Sequence, residues 1–307
     1  MVVLAVSLPC LGGRQVALPV LLGLFRPKDD DHPHRPSQPE LARTLIDMIL
    51  RRFPGRVLEL VMDGAYASRA WRGLPDHVTV TTRMRANAAL HKPAPIRQSG
   101  QKGRPPLKGS KLPTLAEIAA TATFRPVTVT SPDGRERTVH VHELICLWCK
   151  PFYTRAVKVI LIRNPGTSET FDVAIASTDV EVPADTLLSR YDSRWTIETC
   201  NQEAKAHGVG EARNRVQRVV ERTVPFGFLT QTITICWYQL HGDPDTDLTA
   251  RRRHAPWYRQ KTTVSYSDML AALRRELIRH EFWTQAPPMT TNPKVAQPQS
   301  PSAQAAA

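Results

Sequence analysis

The segment LLSRYDSRWTIETCNQEAKAHGVG, residues 187–210, decides the predicted fold. An α-helix turns about 100° per residue, so four polar residues of this segment fall within an arc of roughly 60°. They are Tyr191, Arg194, Glu198 and Lys205. One carboxylate is thus flanked along the predicted helix face by two cations and an aromatic ring. Such a face suits a metal ligand that lies against a phosphodiester backbone. The Arg194–Glu198 spacing is equally typical of a solvated helix, so the helix alone leaves both interpretations open.

The spacing of these four residues, Tyr-x2-Arg-x3-Glu-x6-Lys, resembles the signature of DDE transposases from bacterial insertion sequences. The resemblance implies an RNase H-like catalytic core in which Glu198 is the third metal-binding carboxylate. It also implies that Tyr191, Arg194 and Lys205 contact DNA at the transposon ends.

A second carboxylate is expected in RVLELVMDGAY, residues 56–66, where an apolar run ends in Asp63. Ligand sites in open α/β sheets lie at the carboxyl ends of strands, although Asp-Gly is equally typical of a plain turn. The second aspartate of the DDE transposases likewise follows an apolar strand and precedes a glycine and an aromatic residue, here Gly64 and Tyr66. The resemblance therefore implies that Asp63 and Glu198 bind Mg²⁺ or Mn²⁺ together, as hard oxygen ligands do.

The first aspartate of this family lies on the opening strand of the core, and no residue of this sequence fills that place. Asp29, Asp30 and Asp31 come too late in the strand order, and we interpret them as a solvated acidic loop. We therefore predict an N-terminally truncated transposase that does not cleave DNA at a useful rate by itself. The alternatives are a non-catalytic DNA-binding regulator of transposition and an RNase H-like nuclease unrelated to transposition.

The charge balance favours a polyanionic partner, since 41 basic and 28 acidic residues give a net charge of +13. Between Asp76 and Glu117 there is no acidic residue, and all eight charged residues are basic. An ordinary surface loop mixes charge signs, so we favour DNA contact for this stretch. The candidate DNA-binding residues from this stretch are Arg83, Arg85, Lys102, Arg104 and Lys108.

Several classes of protein are disfavoured. We find no long apolar span and no basic amphipathic anchor, which disfavours a membrane protein. Gly12 to Arg14 divide the apolar N-terminus, so we predict two short strands there and not a signal peptide. Five cysteines, an odd number, form no disulfide framework, which indicates a cytoplasmic protein. The resemblance to DDE transposases implies that it is associated with the nucleoid. The group His140, His142, Cys146 and Cys149 lacks a second cysteine pair at zinc spacing, which disfavours a zinc site.

The predicted fold is an α/β, RNase H-like mixed sheet flanked by helices and interrupted by a β-rich basic insertion. Strands are expected at residues 2–9, 15–25, 56–62, 77–85, 122–130, 137–149, 155–163 and 171–177. The predicted segments are 1–84 for the first part of the core, 85–165 for the insertion, 166–245 for the second part of the core, 246–284 for a basic turn and helix, and 285–307 for a disordered tail. The expected partners are transposon-end and target DNA, and a second copy or a full-length transposase.

Four helices are predicted from their start signals and periodicity. They are 39–53, a run from Pro183 to Gly208, a largely buried helix over 225–242, and a final amphipathic helix with Ser267 as its N-cap. The segment RRRHAPWYRQK, residues 251–261, is expected to be a basic turn before that last helix.

Overall fold

The computed structural model describes residues 1–11, 14–96, 103–131, 134–210 and 216–280 of the chain. It divides into two compact units. Unit 1 comprises Met1–Leu4 and Leu21–Thr196, and unit 2 comprises Ala5–Val20 and the chain from Ile197 onward. No helix in the described ranges combines the length and apolarity needed to cross a membrane. The predicted disordered tail lies outside the described residues.

In the part of the chain that the structure describes, eight strands form two sheets. A two-stranded sheet contains β1 (Val2–Cys10) and β2 (Arg14–Gly23). The larger sheet contains β3 (Leu58–Met62), β4 (Val78–Arg83), β5 (Arg125–Thr130), β6 (Glu136–Leu147), β7 (Ala156–Arg163) and β8 (Val173–Ser177). Its order is β3-β4-β8-β7-β6-β5, with β3 and β4 parallel and the other pairs antiparallel. The eight predicted strands are thus confirmed, and those of the predicted insertion continue the same sheet as β3 and β4.

Alternating side chains of the large sheet belong to two hydrophobic cores. On β7, Val157, Val159 and Leu161 enter the first core, whereas Ile160 and Ile162 enter the second. The first core is covered by α1 (Gln38–Arg52), α2 (Leu115–Thr121) and α3 (Cys149–Phe152), and the second by α4 (Ala184–Asp192). A mixed sheet flanked by helices is therefore confirmed, while α2 and α3 were not predicted.

The predicted signature helix is interrupted. After α4 come a 3-10 turn (Ser193–Trp195), α5 (Thr196–Glu203) and a second 3-10 turn (Ala204–His207). Gly208, with a φ of 75°, ends the run as predicted. The prediction of one continuous α-helix is wrong, because a 3-10 turn has three residues per turn and shifts the positions around the axis. The division between the units falls between Thr196 and Ile197, within this run.

The described part of unit 2 contains three further α-helices, α6 (Gln217–His241), α7 (Pro244–His254) and α8 (Tyr266–Arg279). Their core joins residues of all three helices and of β1 and β2. Its buried members are Cys10, Val16, Ile235, Tyr238, Leu248, Val264, Tyr266, Met269 and Ala272.

Helix boundaries in unit 2 correct three predictions. Helix α6 starts at Gln217 rather than Pro225, which lies inside the helix. The start of the predicted basic turn belongs to α7, which Asp243 caps by accepting a hydrogen bond from the Thr246 amide. The N-cap of α8 is Ser265 rather than Ser267, because Ser265 forms a capping box with Asp268.

The prediction that residues 225–242 form a largely buried helix is also wrong. Phe226 and Leu240 are 69% and 76% exposed, and Leu229 and Ile233 are 53% and 54% exposed. A helix that is apolar on several faces gives no periodic signal that separates its packed face from its exposed one.

Candidate nucleic-acid interface

Asp63 lies at the carboxyl end of β3, as predicted. Strand β3 is parallel to β4 with Met62 opposite Thr82, so Asp63 comes next to Arg83, the last residue of β4. The Asp63 side chain is exposed, and its Oδ1 accepts a hydrogen bond of 2.9 Å from the Ala65 amide. This bond caps the short 3-10 turn Gly64–Tyr66 and fixes one oxygen of the carboxylate.

Gly64 explains why glycine follows this aspartate. A Cβ atom added at Gly64 would lie 2.7 Å from the carbonyl oxygen of Arg83, closer than real Cβ contacts. The turn after β3 therefore packs directly against the backbone at the end of β4. This close approach holds the backbone of Asp63 beside that of Arg83.

Helix α4 carries Tyr191, and the 3-10 turn that follows it carries Arg194. Its Leu187 and Leu188 are buried in the second core. Arg190 forms ion pairs with Glu59 of β3 at 2.6 Å and with Asp179 at 3.2 Å. Both anchors fix the helix against the sheet, and sequence reasoning missed the role of Arg190 because Glu59 belongs to a strand far away in the chain.

Tyr191 lies in a neighbourhood of opposing charges. Burial is the main cause that raises the pKa of its phenol, the Arg194 guanidinium opposes this, and the Asp63 charge raises the pKa further. The Arg83 charge lowers the pKa of Tyr191. Cζ of Arg194 lies 5.7 Å from the centroid of the Tyr191 ring, within the range of a cation–π interaction. Burial followed by the Asp63 charge likewise raises the pKa of Tyr66. The charges of three predicted site residues of unit 1, Asp63, Arg83 and Arg194, thus all act on a fourth, Tyr191.

The acid-free stretch after β4 is a loop closed at its base. His91 exchanges two backbone hydrogen bonds with Leu147 of β6, at 3.0 and 2.8 Å. Leu90 is 1% exposed, and its carbonyl accepts the Leu112 amide at 2.9 Å. The sheet therefore holds one end of the loop at His91, and Leu90 holds the other end at Leu112.

The basic side chains of this region point to solvent. The described exposed ones are Arg83, Arg85, Lys92, Arg104, Lys108 and Lys111. Lys102, another predicted DNA-binding residue, lies outside the described residues. His91, which sequence reasoning missed, has a pKa lowered by burial and then by Lys108 and Lys111. As the neutral ring it accepts a hydrogen bond from Lys108 Nζ at 3.0 Å.

The other two signature residues belong to unit 2. Glu198 is exposed on α5, and Lys205 is exposed on the 3-10 turn that follows. Helix α5 ends at Glu203, whose Oε1 lies 2.9 Å from Arg14 Nη2 on β2. Burial raises the pKa of Glu203 and the Arg14 charge opposes this rise. Buried Gln231 of α6 donates to the Cys200 carbonyl at 3.1 Å, which ties α5 to α6.

The carboxylate of Asp63 is a hard oxygen ligand of the kind that Mg²⁺ and Mn²⁺ prefer. Among the described residues, no three His, Cys, Asp or Glu side chains are grouped so as to hold a metal ion. In the alternative zinc group, burial raises the pKa of Cys146 to about 12, so this thiol stays protonated. His142 Nδ1 lies 3.1 Å from the Thr123 carbonyl oxygen, to which it donates.

Comparison with known proteins gives one family match. Residues 10–143 match the family model described as DDE superfamily endonuclease. This range includes Asp63, Arg83 and the basic loop, and it ends before the signature run. The match relates this part of the chain to DDE-type endonucleases, which generally use divalent metal ions. No curated protein matches the chain significantly.

Seven chains of solved structures match the chain. One of them is the piggyBac transposase in a synaptic complex with hairpin DNA, with a TM-score of 0.37 and 10% sequence identity. The alignment covers 92% of this chain and 48% of that one, so the chain spans about half the length of that transposase.

Proposed function

We propose that this chain is the catalytic region of a DDE transposase from a bacterial insertion sequence and that it acts on transposon-end DNA. The observation that carries the proposal is the strand-end carboxylate Asp63 next to Arg83, with Tyr191 under the influence of the charges of Asp63, Arg83 and Arg194. A carboxylate with cations and a half-buried phenol near it suits a phosphodiester held next to a metal ligand. The DDE family match over residues 10–143 supports the same chemistry.

The basic residues bind the DNA backbone in this proposal. Arg83 and Arg85 contact phosphates near Asp63, and Arg104 and Lys108 extend the contact along the loop. Lys102 belongs to the same set by its place in the sequence. Arginine forks bind phosphate oxygens in pairs, whereas lysine acts as a point charge, so the contacts fix position rather than base sequence.

The signature residues complete the proposed site. Arg194 and Lys205 contact phosphates, and Tyr191 donates a hydrogen bond to DNA or stacks on a base. Asp63 and Glu198 are the proposed ligands of Mg²⁺ or Mn²⁺. Such an ion, when bound, neutralises charge at the phosphorus and activates the attacking oxygen. The role of Glu198 rests on the sequence signature.

We also propose that these 307 residues alone cleave DNA no faster than background, because the sequence holds no counterpart of the family's first aspartate. A second candidate function follows from the same observation, a DNA-binding regulator that joins a full-length transposase. In either case we expect a cytoplasmic protein on the nucleoid that binds transposon ends and target DNA as a pair of copies.

The test uses the full chain and a duplex that carries the inverted repeats flanking its gene. Tight binding that weakens with salt, without strand cleavage in Mg²⁺ or Mn²⁺, is the expected result. Cleavage above background contradicts the proposed inactivity, and cleavage of unrelated duplexes at the same rate favours the nuclease unrelated to transposition. Weak binding that is insensitive to salt contradicts the nucleic-acid function as a whole.

A further inference from the structure

Helix α6 exposes an apolar stripe with the spacing of a coiled-coil seam. Its exposed members are Phe226, Leu229, Ile233, Cys236 and Leu240. Successive members are separated by three, four, three and four residues, which is the a/d pattern of two heptads. We call these five residues the α6 stripe.

The opposite face of α6 is packed. Phe228, Gln231, Ile235 and Tyr238 are each at most 2% exposed. The helix is therefore held in unit 2 by that face, and the α6 stripe is left facing solvent. Four large apolar side chains more than half exposed along one helix form a patch of the sort that marks an interaction site.

The charges near the α6 stripe indicate a protein partner. Residues 223–242 contain no Lys, Arg, Asp or Glu, in a chain with a net charge of +13. A DNA backbone binds where cations are concentrated, so this segment is unsuited to it. A surface without charge is also where two strongly basic copies meet without repulsion.

The ends of α6 favour one arrangement of two copies. Exposed Arg218 and Arg222 lie with Glu221 before the stripe, and exposed Asp243 and Asp245 follow it. Antiparallel pairing places the basic end of one helix beside the acidic end of the other, and it opposes the two helix dipoles favourably. Parallel pairing brings like charges together. A two-fold antiparallel pair is also self-complementary, as closed homodimers require.

The size of the stripe fits a dimer of modest affinity. Its exposed side chains offer roughly 500 Å² per copy, so a pair buries about 1,000 Å², near the lower limit for specific interfaces. The stripe is about 21 Å long at 1.5 Å per residue, which is enough for two heptads.

We propose that α6 pairs antiparallel with α6 of a second copy of this chain through the α6 stripe. Leu229 and Ile233 form the centre of the interface, and Phe226 of each copy lies near Leu240 of the other. This inference rests on the pair of copies expected under the proposed function, but the interface involves no DNA and no metal ion, so its failure leaves the proposed nuclease site intact.

Sedimentation velocity of the full chain without DNA tests the interface. We expect a concentration-dependent shift from 34.4 kDa to twice that mass. Leu229→Lys and Ile233→Lys should each weaken the dimer at least about tenfold, because each buries an ammonium in an apolar seam. Val57→Lys is the matched control, since Val57 is 69% exposed in unit 1 and should leave the dimer unchanged. Circular dichroism confirms that each variant is folded.

Disulfide pairing tests the orientation in a Cys236→Ser background. A Phe226→Cys chain mixed with a Leu240→Cys chain should cross-link to it, in preference to cross-links within either variant. A monomer at every concentration, or a dimer that neither lysine variant weakens, overturns the proposal. Preferential cross-linking of the Phe226→Cys chain to itself overturns the antiparallel arrangement.

Discussion

Replacing Asp63 by asparagine should strengthen DNA binding when no metal ion is present. Asparagine can still accept the Ala65 hydrogen bond and cap the turn, so the change removes a charge and preserves the local backbone. In the proposed complex the carboxylate lies about 5 Å from a phosphate. At that distance two unit charges repel by about 0.8 kcal/mol in a water-like dielectric, which is about fourfold in affinity.

Asp76→Asn makes the same change of charge at the other end of β4. Asp76 is exposed and precedes β4, whose six residues span about 20 Å. This distance is about twice the Debye length at 0.1 M salt, so the control should change the affinity by less than about 1.5-fold.

The assay is fluorescence anisotropy of a labelled transposon-end duplex, first with EDTA and then with Mn²⁺. The salt concentration is about 0.1 M, where the Debye length is about 10 Å. We expect Asp63→Asn to bind more tightly than the unchanged chain in EDTA and to lose this advantage in Mn²⁺, because a metal ligand has been removed. Weaker binding in EDTA, or an equal gain from Asp76→Asn, would refute the position of Asp63 against the DNA backbone.

Three further predictions concern the loop, the turn and α5. Replacing Arg83, Arg85 and Lys108 together by alanine should lower the slope of log affinity against log salt by about 3, measured by anisotropy across a salt series. A decrease in the slope of less than about 1, the value for one lost phosphate contact, contradicts the proposed role of these three residues. Gly64→Ala should lower the free energy of unfolding by about 1–3 kcal/mol in urea melts, because its Cβ meets the Arg83 carbonyl; an unchanged midpoint contradicts the close approach. Burial raises the pKa of Glu203 in the folded chain, so the folded chain binds this proton more tightly than the unfolded chain does. The stability gained from this proton is fully present below the usual pKa of 4.5 and is lost as pH rises through the folded pKa. Glu203→Gln should therefore flatten the pH dependence of stability in this window. Urea melts from about pH 4 to about pH 7 would show this change. An unaltered profile of stability against pH contradicts the prediction.

Strands were easier to predict than the roles of single residues within them. The run that ends in Asp63 is apolar and bounded by turn residues, so both β3 and its strand-end carboxylate follow from local pattern. The reason for Gly64 does not, because the Arg83 carbonyl that it approaches belongs to the next strand. The Arg14–Glu203 pair spans 189 residues and leaves no local signal.

Helix predictions failed where two local signals competed. Pro225 is a helix start signal in the sequence, yet α6 begins at Gln217 and continues through this proline. Two serines compete for the N-cap of α8, and Asp268 decides in favour of Ser265 by completing a capping box.

The signature run shows what a fixed spacing can and cannot specify. Its regular spacing suggested one rigid face, but a 3-10 turn separates α4 from α5, and the division between the units falls at its end. Each half has its own anchor, because Arg190 binds Glu59 in unit 1 and Glu203 binds Arg14 in unit 2. These two ion pairs share no residue, and each joins a helix to a strand far away in the sequence. The positions of the signature residues are therefore set by long-range contacts as well as by helical periodicity, and the spacing alone does not determine them.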